Sequence, residues 1–146
     1  MRMLCFVGLS IWMLVLGWAP GAQSQDTTAR DRAVKEEFKR LEGTWKLVNA
    51  PKEYDVFLIF SGTKCSLRHV MGDKEKTREV EFTIDPTRSP KWVDSEGSDN
   101  RIWPRIYELK EDTLRMVFQS EKDSKRPTEF KKGEGQIMNT YKRVKP

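Results

Sequence analysis

The fold is decided by a stretch of alternating apolar and polar side chains, Arg78-Glu79-Val80-Glu81-Phe82-Thr83-Ile84. In an extended chain, Val80, Phe82 and Ile84 fall on one side and Glu79, Glu81 and Thr83 on the other. A repeat of two residues is the period of a β-strand. The stretch therefore predicts a strand with one buried and one solvated face.

Similar short runs lie on both sides of this stretch and end at turn-forming residues such as Ser61-Gly62-Thr63 and Met71-Gly72-Asp73-Lys74. The other predicted strands cover residues 44–49, 55–60, 64–70, 91–94, 101–109, 113–119 and 136–144. About eight strands at intervals of roughly ten residues, without helical crossovers, exclude a parallel α/β sheet. They predict one antiparallel barrel or tight sandwich.

The chain before the first strand has three predicted parts. Residues 1–22 have a basic start at Arg2, an apolar run and a small-residue exit, which predicts a secretory signal peptide cleaved after Ala22 or Ser24. Residues 23–28 are polar and are expected to form a flexible tail. From Ala29, apolar residues recur at spacings of three to four and predict a short helix that ends near Gly43. The folded domain is then residues 29–146.

The leader predicts an exported protein, periplasmic or extracellular, with no stable membrane span after cleavage. Its apolar run is shorter than the roughly 20 residues that a spanning helix needs. An uncleaved N-terminal anchor is the alternative. The net charge of +5 is spread over interspersed signs, which indicates a solvated surface and no nucleic-acid partner. Once Cys5 leaves with the leader, Cys65 has no partner for a disulfide and is expected to be buried.

Several segments together resemble a lipocalin-like domain family of unknown function that is abundant in planctomycete bacteria. The resemblance begins with the Gly-x-Trp opening at Gly43 and Trp45 and covers residues 41–144. Its other segments are Phe82-Thr83-Ile84-Asp85-Pro86, Pro90-Lys91, Val93-Asp94, Ile106-Tyr107-Glu108-Leu109, Asp112-Thr113-Leu114, Arg126-Pro127-Thr128-Glu129-Phe130 and Tyr141-Lys142-Arg143-Val144. It implies an eight-stranded antiparallel, calycin-type barrel with a short N-terminal helix.

By the same resemblance, Trp45 plugs one end of the barrel, Arg143 from the last strand stacks across it, and Gly43 belongs to this structural plug. Two positions depart from the family pattern. Arg105 and Val117 stand where the family often has a glycine and a cysteine. The absence of the second cysteine removes a possible partner for Cys65 and weakens any disulfide or metal site.

No catalytic constellation is apparent. His69 is the only histidine, and it lies about 13 Å along an extended strand from Cys65, which excludes a local dyad. These two side chains alone cannot form a zinc site, and no glycine-rich phosphate loop is present. The sequence therefore predicts no enzyme, no metal and no cofactor.

Two functions remain open. In the first, the barrel binds a small apolar or amphipathic molecule, with Trp103, Tyr107, Trp92 and Arg126 as candidate ligand-binding residues. In the second, the barrel is filled and contacts a cell-envelope protein through the charged loop 120–135. A cavity of several hundred Å³ favours the first function, and a filled barrel with an exposed apolar patch favours the second.

Overall fold

The computed structural model describes residues 22–97, 100–121 and 125–145. The predicted signal peptide, apart from its last residue, lies outside these ranges. One helix precedes eight strands, whose bounds are α1 Ala22–Leu41, β1 Gly43–Leu47, β2 Tyr54–Ser61, β3 Lys64–Met71, β4 Lys74–Asp85, β5 Lys91–Glu96, β6 Ile102–Lys110, β7 Thr113–Gln119 and β8 Gln136–Arg143.

The strands form a closed barrel. Each strand pairs antiparallel with the next one along the chain, and β8 pairs with β1. This confirms the predicted fold class, an eight-stranded antiparallel barrel of lipocalin-like architecture with an N-terminal helix. The pairing also decides in favour of a barrel over a sandwich. We call the end that holds α1 and the start of β1 the closed end, and the opposite end the open end.

The core is built from alternate residues of the strands and one leucine of the helix. Its buried members are Leu41, Trp45, Leu58, Phe60, Cys65, Phe82, Ile84, Val93, Tyr107, Leu109, Leu114, Met116 and Tyr141. Val80, Phe82 and Ile84, which the alternation placed on one face, all belong to this core or pack against it. The charged side of the same strand is exposed, as a period of two requires.

Helix α1 lies across the closed end and packs against the core through Val34, Phe38 and Leu41. The ring centroids of Phe38 and Phe82 are 5.3 Å apart. The helix begins at Ala22, so residues 23–28, where the sequence predicted a tail, are helical. These residues are polar and lack an apolar period of three to four, so their pattern did not indicate a helix.

The β3–β4 hairpin is longer than predicted. Residues 64–71 pair with residues 74–81, whereas β5 pairs only with residues 82–85 of β4. The first two thirds of β4 thus have a strand neighbour on one side only. This leaves an opening in the barrel wall between β4 and β5, close to the open end.

Candidate functional site

The barrel is hollow. A cavity of about 280 Å³ lies between the inner faces of the strands. Its lining is mostly apolar and consists of Leu47, Val56, Leu58, Phe60, Cys65, Leu67, His69, Val80, Phe82, Val93, Ser95, Arg105, Met116, Phe118, Asn139 and Tyr141. No carboxylate is among these side chains, so an apolar molecule would meet few polar groups there.

A second space of about 310 Å³ adjoins the cavity and shares Cys65, Ser95 and Arg105 with it. It lies at the opening between β4 and β5, and Trp103 lines it there. Of the four candidate ligand-binding residues, Trp103 is the one that lines this connected space.

Arg105 brings a positive charge into this apolar surrounding. It lies opposite Val93 and Phe118 on the neighbouring strands, and its guanidinium carbon is 5.4 Å from the centroid of the Phe118 ring. Its Nε is buried and has no hydrogen-bond partner among the described residues. Burial lowers the pKa of Arg105, but a guanidinium stays charged in proteins. The cavity therefore contains a cation whose desolvation no carboxylate in the lining offsets.

Two polar side chains of β8 reach the same cavity. Asn139 Nδ2 donates a hydrogen bond of 3.1 Å to the Tyr141 hydroxyl. Burial raises the pKa of Tyr141, while the Asn139 hydrogen bond and the Arg105 charge oppose this rise. The neutral hydroxyl accepts from Asn139 and keeps its own proton for a further acceptor. Arg105 and Tyr141 thus place N–H and O–H donors in one apolar space.

The surface groove beside the open end is basic. Lys74, Lys76 and Arg78 line it together with apolar groups and Glu75, and its volume is about 550 Å³. At its inner limit, the Tyr54 hydroxyl and His69 Nδ1 form a hydrogen bond. His69 is therefore part of the barrel wall, with no acidic partner in the described contacts.

Cys65 is buried and forms no disulfide. Burial raises the pKa of its thiol to about 12, although the charge of Arg105 acts in the opposite direction. The thiol is therefore protonated at neutral pH, and a protonated thiol is a poor nucleophile. Cys65 contributes a small apolar surface to the cavity.

At the closed end, Arg143 contacts the Trp45 ring. The guanidinium carbon of Arg143 is 4.1 Å from the centroid of the fully buried Trp45 ring. Arg143 also donates hydrogen bonds of 2.6 Å to the carbonyl oxygens of Arg40 and Glu42. A Cβ at Gly43, whose φ is +114°, would lie 3.1 Å from Arg143 Nη1. Glycine is thus required both by the backbone and by the close approach of Arg143.

Tyr107, predicted to bind a ligand, is buried at the closed end and is not among the residues that line the cavity. Its hydroxyl donates a hydrogen bond of 3.2 Å to Glu37, which also binds Lys91 Nζ at 2.6 Å and Arg40 Nη1 at 2.9 Å. Burial and the Glu37 charge raise the pKa of Tyr107. This cluster fixes the helix to the barrel, so Tyr107 has a structural place.

Trp92 and Arg126, also predicted to bind a ligand, lie on the outer wall. Trp92 adjoins Val93 in β5, and since Val93 lines the cavity, Trp92 faces away from it. The guanidinium carbons of Arg88 and Arg126 lie 4.6 Å and 4.4 Å from the centroid of the Trp92 ring. Arg126 donates hydrogen bonds of 2.6 Å to the Arg105 carbonyl oxygen and 2.8 Å to Asp94. These contacts fasten part of the loop 120–135 to the barrel.

Two residues of these sites, Arg105 and Glu37, were not predicted as site residues, although the sequence pattern marks both. Arg105 follows Trp103 by two positions and precedes Tyr107 by two, so it belongs to their face of the strand. Glu37 is three residues after Val34 and four before Leu41, which places it on the apolar side of the helix. A charged side chain on a buried face is the signal in both cases.

Within the described ranges, no helix is long and apolar enough to cross a membrane. No cluster of three or more potential metal ligands was found in that part of the chain. The chain matches no protein-family model, no curated protein and no solved structure.

Proposed function

We propose that this domain is an exported binding module of a lipocalin-like kind, which holds one small apolar or amphipathic molecule inside its barrel. The observation that carries the proposal is the cavity of about 280 Å³ with its mostly apolar lining. Ligand pockets in proteins range over about 300–1,000 Å³, so the ligand is expected to be small. The apolar lining provides affinity through surface removed from water.

The opening beside β4 gives a ligand a route into the cavity. Residues 74–81 of β4 are paired with β3 alone, so this hairpin can move without breaking pairs to β5. Trp103 stands at the same opening. Its ring provides an apolar surface that a ligand would pass or contact.

Binding can be tested with the neutral fluorescent probe N-phenyl-1-naphthylamine and the full chain. Val80 lines the cavity, whereas Val70 lies on the outer face of the same hairpin and is absent from the lining. We expect Val80→Phe, which fills part of the cavity, to weaken probe binding at least tenfold. Val70→Phe adds the same ring outside the barrel and should leave binding unchanged.

Native mass spectrometry of protein isolated from its own cells complements this test. A stoichiometric apolar molecule in the spectrum would support the proposal. If the probe does not bind, or if both phenylalanine variants bind it as the wild type does, the cavity is not a binding site. The alternative function, contact with an envelope protein through the loop 120–135, would then be preferred.

A further inference from the structure

We infer that the ligand is an amphipathic anion, with its acidic group on Arg105 and its apolar chain in the cavity. This inference rests on the proposed binding function and names the ligand class. It starts from the guanidinium in the cavity lining, where Nε is buried and unpartnered. Structural cations of this barrel, such as Arg143 and Arg126, have several acceptors each. Among the described residues, Arg105 differs from them because its guanidinium contacts the Phe118 ring and its Nε has no acceptor, although the charge of Asp94 acts on it.

The charge balance of the cavity favours an anion. Carboxylates are absent from its lining, and Cys65 and Tyr141 are neutral at pH 7, since burial raises a pKa that already lies above 7 in each. The charge of Asp94 acts on Arg105 from outside the lining, but this carboxylate is paired with Arg126. A neutral apolar ligand would displace water from Arg105 and leave its charge without a partner. An acidic group would instead form charge-assisted hydrogen bonds with the guanidinium. One guanidinium matches one negative charge, so the acidic group is expected to be a monoanion such as a carboxylate.

The geometry also orients the ligand. Arg105 belongs to both connected spaces, so the acidic group would lie where they meet. The Tyr141 hydroxyl, which already accepts a hydrogen bond from Asn139, has its proton available for the same group. From this point the apolar chain can extend along Leu58 and Met116. Arg78 at the opening provides a second positive charge on the access route, opposed there by Glu96.

The test compares two ligands of equal chain length, decanoate and decan-1-ol, by displacement of N-phenyl-1-naphthylamine at pH 7. A buried charge-assisted hydrogen bond corresponds to about 10- to 100-fold in affinity, so decanoate should bind that much more tightly. Arg105→Met should remove this preference and leave decan-1-ol binding intact. Arg115→Met is the matched control, because Arg115 pairs with Glu108 outside the cavity lining.

The ligand-free stability of the same variants separates a ligand-binding Arg105 from a structural one. A buried charge without a partner costs stability, so Arg105→Met should melt at the same or a higher temperature than the wild type. Arg105→Lys should retain part of the preference for decanoate because it keeps the charge. If Arg105→Met lowers the melting temperature and weakens both ligands equally, Arg105 is structural and the inference is wrong.

The remaining outcomes separate the anionic ligand class from the proposed binding function. Equal binding of decanoate and decan-1-ol by the wild type would overturn the anionic ligand class but leave the binding function standing. Binding of neither ligand and no binding of the probe would overturn both. A decanoate preference that survives in Arg105→Met would assign the anion to another cation and refute the role of Arg105.

Discussion

Removal of the Trp45 side chain is expected to destabilise the domain strongly. The ring is fully buried, and truncation of a buried tryptophan to alanine costs about 3–5 kcal/mol. The change also removes the 2.8 Å hydrogen bond from Trp45 Nε1 to the Leu41 carbonyl oxygen and the ring beneath Arg143. These contributions overlap and are not additive, so we expect Trp45→Ala to lower the free energy of unfolding by about 4–5 kcal/mol in total.

Two further variants, Trp45→Phe and Trp103→Ala, should lose less stability than Trp45→Ala. Trp45→Phe keeps an aromatic ring under Arg143 but cannot donate to Leu41, so it should lose only about 1–2 kcal/mol. Trp103→Ala is the matched control at the open end. Its side chain is only half-buried, and the same truncation there should lose about 1 kcal/mol.

The assay is urea unfolding followed by far-UV circular dichroism, with the slope m compared among the variants. A domain of this size is typically stable by about 5–15 kcal/mol, so Trp45→Ala should fall close to the limit of folding. In a thermal scan, its melting temperature should drop by roughly 10–20 °C. The barrel-plug role of Trp45 would be refuted if Trp45→Ala lowered the free energy of unfolding by less than about 1 kcal/mol at unchanged m. A loss no larger than that of Trp103→Ala would refute it as well.

Two further predictions concern buried groups, one in the cluster at the closed end and one in the cavity lining. Glu37→Gln should lower the free energy of unfolding, measured in urea, by about 1–3 kcal/mol, because charge-assisted hydrogen bonds at a buried carboxylate are broken. Glu36→Gln, on the exposed side of the helix, should change it by less than about 0.5 kcal/mol. Equal losses in the two variants would contradict a stabilising role of the Glu37 cluster. Cys65 should react slowly with iodoacetamide in the folded protein at pH 8, because its pKa of about 12 keeps the thiol protonated, and rapidly in denaturant, where a thiol has its ordinary pKa of about 8.5. Peptide mass mapping measures both rates, and rapid labelling of folded protein would show that the thiol is accessible as a thiolate.

The candidate site could be predicted only in part, because closeness in the sequence does not give a residue's place in the barrel. Trp103, Tyr107 and Trp92 were grouped because they are large aromatic residues near one another in the sequence. In the barrel, Trp103 lies at the opening, Tyr107 at the closed end and Trp92 on the outer wall. Residues separated by four positions on one strand are about 13 Å apart, enough to reach opposite ends of a short barrel.

The sequence by itself determined the approximate positions of the strands and the inward-facing residues of the regularly alternating stretches, because a period of two is a local property of the chain. Val80, Phe82 and Ile84 could be assigned to one face without any knowledge of their neighbours. The tertiary structure alone decided that the sheet closes, that a cavity remains inside it and that Arg105 lies there with no carboxylate in the lining. Cavity volume and charge balance depend on which side chains meet across the barrel, and these come from strands far apart in the chain.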